Sequence, residues 1–526
     1  MANQQFNLAD LFELVTDKVP DRIALVAGDR RLTYAELDAR ANRFGHALLD
    51  QGIEPGQWIG IHAYNRAEWI EAFIGCLKAR LVPININYRY VTDELRYVFD
   101  NADLAALVYE AEFGPRVEAV VAELPKLQTL IRLHDVTNTT DGLTSLDYET
   151  ALASATPDRD FEPRSPDDLY VLYTGGTTGM PKGVMWRAED IFFAALGGGN
   201  YGGPAISEPH DIQESIGDHQ MCSMAFAPLM HGNAQWTSLV TLFGGNKLVL
   251  NTQRKMDAAA LWQLCDEESI NSLSIVGDAM ARPLVDALAD RDPPSSVVAL
   301  VSGGAILSPA IKAEFGARMP NTMILDSFGA SETGANGAVD MTASGPKFRM
   351  NEWTTVIGDD LEVVAIGETG MLARRGHVPL GYYKDETKTA ATFVTGPDGT
   401  RWAIPGDRAV READGTITVL GRGSQCINSG GEKIFPEEVE SALKSHPAVF
   451  DATVVGRADE RWGEHVCAVV QFRNGMSADV EGLATHCREH IAGYKVPRSV
   501  VVVDEMVRSP SGKPDYRWAK ELAAQS

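Results

Sequence analysis

The chain has 526 residues, a formal charge of −25, 44% hydrophobic and 23% charged residues. That length exceeds one simple core and predicts more than one domain, and the composition excludes a disordered chain. The acidic excess, with no basic stripe, excludes a nucleic-acid partner, yet leaves small anions open, because one lysine and a few backbone N–H groups can hold them.

The opening MANQQFNLADLF lacks the character of a secretory signal. From Leu32, Thr33 and Glu36 have capping-box spacing, and Leu37, Ala41, Phe44, Leu48 and Leu49 form one apolar helix face. GQWIGIHAYN reads as a strand and turn, after which Asn65 is expected to cap the helix RAEWIEAFIGCLKA, with Glu68 three residues on. RLVPININ and LAALVYE read as further strands. The alternation continues through KLVL, DAAALWQLCDEE, SLSIV, SVVALVSGG, SPAIKAEFGARM and TMILDSFGA, and predicts layered α/β sheets. From about Gly358 short Gly-rich segments (DDLEVVA, GMLARRG, RWAIPGDRAVREADGTITVL) suggest a β-rich subdomain, residues 358–423. After GRGSQCINSGGEKIFP a compact α/β unit begins, so the boundary is placed between 1–423 and 424–526.

Cys76, Cys222, Cys265, Cys426, Cys467 and Cys487 form no CxxC pair. No apolar run approaches the ~20 residues of a membrane span. A cytoplasmic setting without a transmembrane segment is expected. The eleven histidines are read as showing no HExxH or other metal spacing.

The stretch YTGGTTGMPKGVMW, Tyr173 to Trp186, stands between strand-like DDLYVLY and GVMW. Glycines permit close backbone approach, threonines add donors, successive N–H groups can form an anion nest, and Lys182 adds a compact charge. This suits a polyphosphate, although composition alone is equally that of a surface turn. It is not a Walker A motif, because Lys182 follows Pro181 and precedes Gly183. GGGNYG, Gly197 to Gly202, matches G-x-G-x-x-G, but it follows helical AEDIFFAAL and not a strand, so no dinucleotide site is expected.

Together the ordered motifs resemble the acyl-adenylating superfamily of acyl-CoA synthetases, peptide-synthetase adenylation domains and beetle luciferases. The resemblance covers nearly the whole chain. YTGGTTGMPKG resembles its phosphate loop, with Gly175 where serine is common; PLMHGNAQW its acyl-pocket motif; SGGA its adenine-contacting strand end; FGASETG its YGxTE; PGD (Pro405–Asp407) and GR (Gly421–Arg422) its ribose elements; and PSGKPDYR its carboxy-terminal lysine motif. The implied fold is α/β: a large multi-layer N-terminal domain with a β-rich subdomain, and a small mobile C-terminal α/β domain. The implied activity is an acid–thiol ligation using ATP, Mg²⁺ and CoA, through an acyl-AMP.

The resemblance also implies roles. Thr174, Gly175, Gly176, Thr177, Thr178 and Gly179 would hold phosphate with Lys182, which supports the β- and γ-phosphates. Glu332 and Thr178 would serve Mg²⁺. Gly303, Gly304, Ala305, Asp326, Phe328, Gly329 and Ser331 would serve the nucleotide, Phe328 offering a face for adenine. Asp407 and Arg422 would take the ribose. Lys513 would meet the acyl carboxylate and the α-phosphate. His231 would gate the pocket or orient a carboxylate, a structural histidine being the alternative. Ser424 falls at the hinge position, within a linker that departs from the family's usual GRxxDxIKxxG. Gly431 would pass the pantetheine arm, and Lys433 would assist that second site or the nucleotide pocket.

No acidic residue stands in PLMHGNAQW to pair with a substrate amine, which disfavours an α-amino acid. Phe193, Gly198, Met230, Ala234, Trp236 and Gly329 are the expected pocket residues, small or apolar in the main, and they favour a hydrophobic carboxylate of some bulk. The motifs also look like those of bacterial ligases for fatty or steroid side-chain acids. Aryl acids, a carrier-protein acceptor and a non-catalytic nucleotide-binding protein are the alternatives. A small-molecule acid and CoA are the expected partners, with a homodimer as the expected assembly.

Overall fold

The computed structural model describes residues 5–135, 137, 139–176, 179–200, 203–305, 307–342, 345–422, 425–429, 432–459, 463–508 and 513–525; side chains at 175–176, 179, 339–342, 345–346, 422, 428, 432–433 and 463 lie outside this description. Packing divides the chain into two compact units. The first comprises Met1–Ile275, Pro294–Leu300 and His377–Ala390; the second comprises Val276–Pro293, Val301–Gly376 and Ala391–Ser526. The fold is α/β, as the alternation of strand and helix patterns predicts.

In the first unit a parallel sheet runs in the order Val82–Asn85, Trp58–His62, Leu104–Glu110, Thr129–Leu133, Leu146–Asp147. Its central strands Trp58–His62 and Leu104–Glu110 are buried along their whole length, which explains their unbroken apolar runs. A second set of parallel strands is ordered Ile23–Ala27, Lys247–Leu250, Cys222–Ala225, Ser272–Ile275, with Arg30–Thr33 antiparallel at one edge. The strands Leu169–Gly176 and Gly179–Arg187 form an antiparallel hairpin, and Gly381–Tyr382 adds to its second strand. Tyr170 and Trp186 face one another in that hairpin, fully buried. Each large apolar side chain buried so contributes about 1.5–3 kcal/mol and fixes the hairpin's root.

The capping box at Thr33 and Glu36 forms as expected: the Thr33 N–H donates to Glu36 Oε2 at 2.8 Å, and the Glu36 N–H to Thr33 Oγ1 at 3.2 Å. The expected cap at Asn65 does not. The helix Ala67–Lys78 starts from Arg66 with no side-chain cap. Asn65 is diverted to a distant loop, where Oδ1 accepts from the Leu229 N–H at 2.7 Å and Nδ2 donates to the Ala227 carbonyl at 3.2 Å. Glu68 is occupied by Arg66 and Arg30.

Lys78 ends this helix wholly buried, with Nζ 2.5 Å from Glu13 and 2.7 Å from Asp38. Arg159 completes the shell on Asp38 and Arg164 on Glu13. Burial raises the Asp38 carboxyl, but Lys78 and Arg159 outweigh it and hold the pKa below the ordinary value.

In the second unit the expected β-rich texture is present. Met323–Ala330, Gly334–Thr342, Gly345–Arg349, Thr416–Arg422, Asp407–Arg411 and Thr369–Arg374 pair antiparallel in that order. GMLARRG supplies a strand, whereas DDLEVVA contributes only a single bridge, Ile357 with Val363. Towards the C-terminus, Val449–Asp459 and Gly463–Phe472 pair along their length, with Ser499–Val503 parallel to the latter. Helices Pro436–Lys444 and Val480–His490 cover one face through Val439, Leu443, Leu483 and Cys487, and Tyr516–Gln525 covers the other through Ala519 and Ala523. Among the described residues no helix is long and apolar enough to cross a membrane.

Candidate active site

The glycine-rich loop is the tip of the first unit's hairpin. Thr174 pairs with Lys182 and Gly176 with Gly179, with a register break between Thr174 and Gly176. Gly175 therefore stands at an irregularity and not in a regular ladder. Thr177 and Thr178 lie outside the described residues. Gly183 is required by packing, because a Cβ there would lie 2.8 Å from the Tyr173 ring.

Lys182 is half-buried and forms an ion pair with Asp385, in the turn after Gly381–Tyr382. The bond from Lys182 is the main reason that the Asp385 carboxyl sits below its ordinary range. Asp385 Oδ1 also accepts the Lys388 N–H at 2.9 Å, so the anchor is itself anchored. Sequence reading missed Asp385. Its local signal, an aspartate three residues ahead of Lys388 at a helix start, says nothing about a lysine 203 residues away.

Asn85, buried at the end of its strand, joins two motifs. Its Oδ1 accepts the Tyr173 N–H at 2.9 Å, and its Nδ2 donates to the carbonyls of Tyr173 at 2.9 Å and Met230 at 2.7 Å. With Asn65 on Leu229, two amides fix the turn that leads into His231. A polar residue in the apolar run RLVPININ was the available signal. His231 is half-buried at the N-cap of helix Gly232–Phe243, its carbonyl accepting the Gln235 N–H at 3.2 Å.

Of the expected pocket residues, Met230 and Ala234 are buried. Trp236 is half-buried, and its indole N–H donates to the Tyr170 hydroxyl at 3.1 Å, which in turn donates to Gln235 Oε1 at 2.7 Å. Phe193 stacks on His377, with ring centroids 4.8 Å apart, and meets Phe6 edge-on. His377 Nδ1 lies 2.8 Å from Asp190. Gly197–Gly199 is a tight turn with positive φ throughout, following helix Ala188–Ala195, and Tyr201 and Gly202 lie outside the described residues. A Cβ on Gly198 would lie 2.6 Å from Ala205 Cβ.

The second unit carries the expected nucleotide residues. Gly303 ends the strand Ala299–Gly303, and Gly304 is exposed with φ +87° beside the half-buried Ala305. Phe328 stacks on Phe348 at 5.6 Å. Gly329 admits no side chain, because a Cβ would be 2.5 Å from the Gly334 carbonyl oxygen. Asp326 is buried; desolvation pushes its carboxyl up to about 7, against the pull of Lys312 at 3.8 Å.

Ser331 and Glu332 occupy the half-buried turn after Met323–Ala330. A carboxylate there is a hard oxygen donor of the kind Mg²⁺ accepts alongside phosphate oxygens and water. Behind the turn lies a buried network that sequence reading missed. Arg374 donates to the Ala335 carbonyl at 2.7 Å and to Asn336 Oδ1 at 3.4 Å, and Asn336 Nδ2 donates to Thr333 Oγ1 at 3.0 Å. Burial lowers the Arg374 pKa to about 10.

Asp407 and Arg422, 15 positions apart in the chain, are direct partners across two antiparallel strands, and Asp407 is buried. Lys433 lies on the strand Glu432–Ile434; its side chain, with that of Arg422, is outside the description, as are Ser424 and Gly431 altogether. Lys513 is exposed and precedes Pro514, which forms an antiparallel bridge with Arg508. Arg508 is held bidentately by Asp451, with Nε donating to Oδ2 at 2.7 Å. Burial opposes the Asp451 charge, but Lys444 and Arg508 prevail and lower its pKa.

Comparison with known proteins identifies the family and the fold. The family described as AMP-binding enzyme matches residues 12–383, and the AMP-binding enzyme C-terminal domain matches residues 438–513. The chain is 47% identical to a 3-oxocholest-4-en-26-oate–CoA ligase of Rhodococcus rhodochrous, over 98% of this chain and 95% of the relative. It is 45% identical to a medium/long-chain-fatty-acid–CoA/3-oxocholest-4-en-26-oate–CoA ligase of Mycolicibacterium smegmatis, over 99% and 97%. Among solved structures, the anthranilate CoA ligase AuaEII in complex with anthranoyl-AMP superposes with a TM-score of 0.85 at 23% identity, covering 99% of this chain and 97% of that one. ATP-bound MatB from Rhodopseudomonas palustris superposes with a TM-score of 0.81 at 23% identity, over 98% of each. The chain belongs to the AMP-binding enzyme family, and it is an acid–thiol ligase of the adenylate-forming superfamily.

Proposed function

We propose that this protein is an ATP-dependent carboxylic acid–CoA ligase acting on a hydrophobic fatty or steroid side-chain acid. The observation that carries the reading is similarity along almost the whole chain to ligases named for those acids. The apolar character of Met230, Ala234, Trp236 and Phe193 supports it.

A carboxylate is a poor electrophile because its oxygen leaves badly. Attack of the acid on the α-phosphate of ATP expels pyrophosphate and turns that oxygen into part of an AMP leaving group. The CoA thiol then displaces AMP. Negative charge develops around the transferring phosphorus, where positioned cations and N–H donors lower the barrier. In this reading Lys513 acts at the carboxylate and α-phosphate, and Lys182 with the hairpin-tip N–H groups steadies the outer phosphates. Asp407 and Arg422 hold the ribose, and Phe328, Gly303, Gly304 and Ala305 the adenine. Mg²⁺ held by Glu332 and Thr178 would neutralise phosphate charge.

The functional boundary is set at 423/424. Ser424 is the hinge, so that a mobile domain of residues 424–526 withdraws Lys513 after adenylation and presents Gly431 and Lys433 for the CoA step. Cytoplasmic location and a homodimer complete the proposal. The deciding experiment incubates a panel of acids with ATP, Mg²⁺ and CoA and follows AMP, pyrophosphate and thioester mass. Thioesters of steroid or fatty acids are the expected product. ATP-dependent products confined to aryl acids, or acyl-AMP that never reaches CoA, would overturn the substrate and acceptor assignments respectively.

A further inference from the structure

The reading that the histidines carry no metal spacing is revised by one helix. Val480–His490 ends in HCREH, which places His486 and His490 one turn apart, with Glu489 between them on the same side. This is the HExxH pattern with its glutamate at the other end, so a search for HExxH passes over it. Nitrogens of His486 and His490 and a carboxylate oxygen of Glu489 all lie within 4.8 Å of one another. The site is far in sequence from the nucleotide motifs and has no part in the reaction above.

Hydrogen bonding prepares His486 as a ligand. The Ser445 hydroxyl donates to the Ala442 carbonyl at 2.7 Å, so its oxygen accepts from His486 Nε2 at 2.8 Å. A neutral ring with its proton on Nε2 carries its lone pair on Nδ1. Such an outer partner, fixing tautomer and ring orientation, is the usual support of a metal-bound histidine. His446 packs edge-on against His486 with centroids 5.0 Å apart, but its Nδ1 accepts the Ala448 N–H at 3.2 Å. Its own proton therefore sits on Nε2, which makes it a wall of the site and not a ligand. Glu489 forms no ion pair among the described residues. The C-terminal end of a helix also carries partial negative charge, which favours a cation there.

We propose that His486, Glu489 and His490 bind one zinc-class divalent ion, with water completing a tetrahedral shell. Ligands ~2.0–2.1 Å from zinc stand roughly 3.3 Å apart, a closure that small rotations of the exposed Glu489 and His490 provide. Two imidazoles with one carboxylate select zinc over Mg²⁺, which prefers an all-oxygen shell.

The test is zinc binding by the full chain after removal of metal by chelator, measured by equilibrium dialysis. The wild type should bind one more equivalent of zinc than His490→Ala. Glu489→Gln should weaken that equivalent by about tenfold or more. Zinc should raise the thermal unfolding midpoint of the wild type and not of His490→Ala. Acid–CoA ligation with Mg²⁺-ATP should be equal in the two, because neither residue belongs to the reaction. His490 is exposed and packs edge-on against the half-buried His486, so its removal leaves the buried core intact. Equal zinc stoichiometry and affinity in the wild type, His490→Ala and Glu489→Gln would overturn the proposal, whatever the outcome for the ligase activity.

Discussion

Lys182 and Asp385 form an ion pair that ties the hairpin bearing the glycine-rich tip to the turn behind it. The lysine is thus held in place by a residue 203 positions away. Asp385→Asn keeps the acceptor of the Lys388 N–H but removes the charge opposite Lys182. We expect kcat/KM for ATP to fall by about tenfold, equivalent to ~1.4 kcal/mol of transition-state stabilisation, with a larger loss in Lys182→Ala. Steady-state kinetics at saturating acid checks this; unchanged kinetics in both variants would remove Lys182 from the phosphate site.

Lys513→Ala should abolish most adenylation, while supplied acyl-AMP still reacts with CoA. Arg508→Ala should move the same half-reaction in the same direction by a smaller factor, because Arg508, held by Asp451, bridges Pro514, the neighbour of Lys513. Pyrophosphate release and thioester formation from acyl-AMP, assayed separately, distinguish the two steps. Equal loss of both half-reactions in Lys513→Ala contradicts the division of labour.

Asp326 gives a pH signature. Desolvation raises its folded pKa to about 7, from an ordinary 3.8, despite Lys312. The folded state therefore holds the proton more tightly than the unfolded chain. The associated stability is fully present below about pH 4 and is lost as pH rises towards 7 and beyond. Asp326→Asn should flatten this part of the stability profile, and its advantage over the wild type should be greater at pH 8 than at pH 5. Urea unfolding at the two pH values measures it.

Lys78→Ala should destabilise the protein by about 3–5 kcal/mol, because Glu13 and Asp38 would keep their burial and lose a shared cation. Lys78→Met, tested with Glu13→Gln and Asp38→Asn together, should recover much of that loss. Denaturant midpoints decide; a single-variant cost near zero would mean that Arg159 and Arg164 suffice.

Much of the fold was legible because strand and helix patterns alternate cleanly: LAALVYE, KLVL and TMILDSFGA became strands, and Thr33 capped its helix. The failure at Asn65 is instructive. Its local spacing suited a cap, but two backbone groups in the loop before His231 had no partner in their own segment, and the amide was taken by them. Asn85, Asp385, Arg374 and Arg508 share that character. Each holds a motif from a distant part of the chain, and nothing within a short window records the partner. HCREH was legible throughout; only the order of its residues hid it.

Asn85 has a consequence for thermodynamics. One amide grips the backbone at Tyr173, which leads into the glycine-rich tip, and at Met230, which leads into His231. A ligand that displaces either segment acts on hydrogen bonds the two segments share through one amide. Linkage then makes the effect mutual: whatever factor ATP imposes on the affinity for the acid, the acid must impose on the affinity for ATP. If ATP seats on the first segment and the acid on the second, as proposed, Asn85 is the residue through which each would tune the affinity for the other.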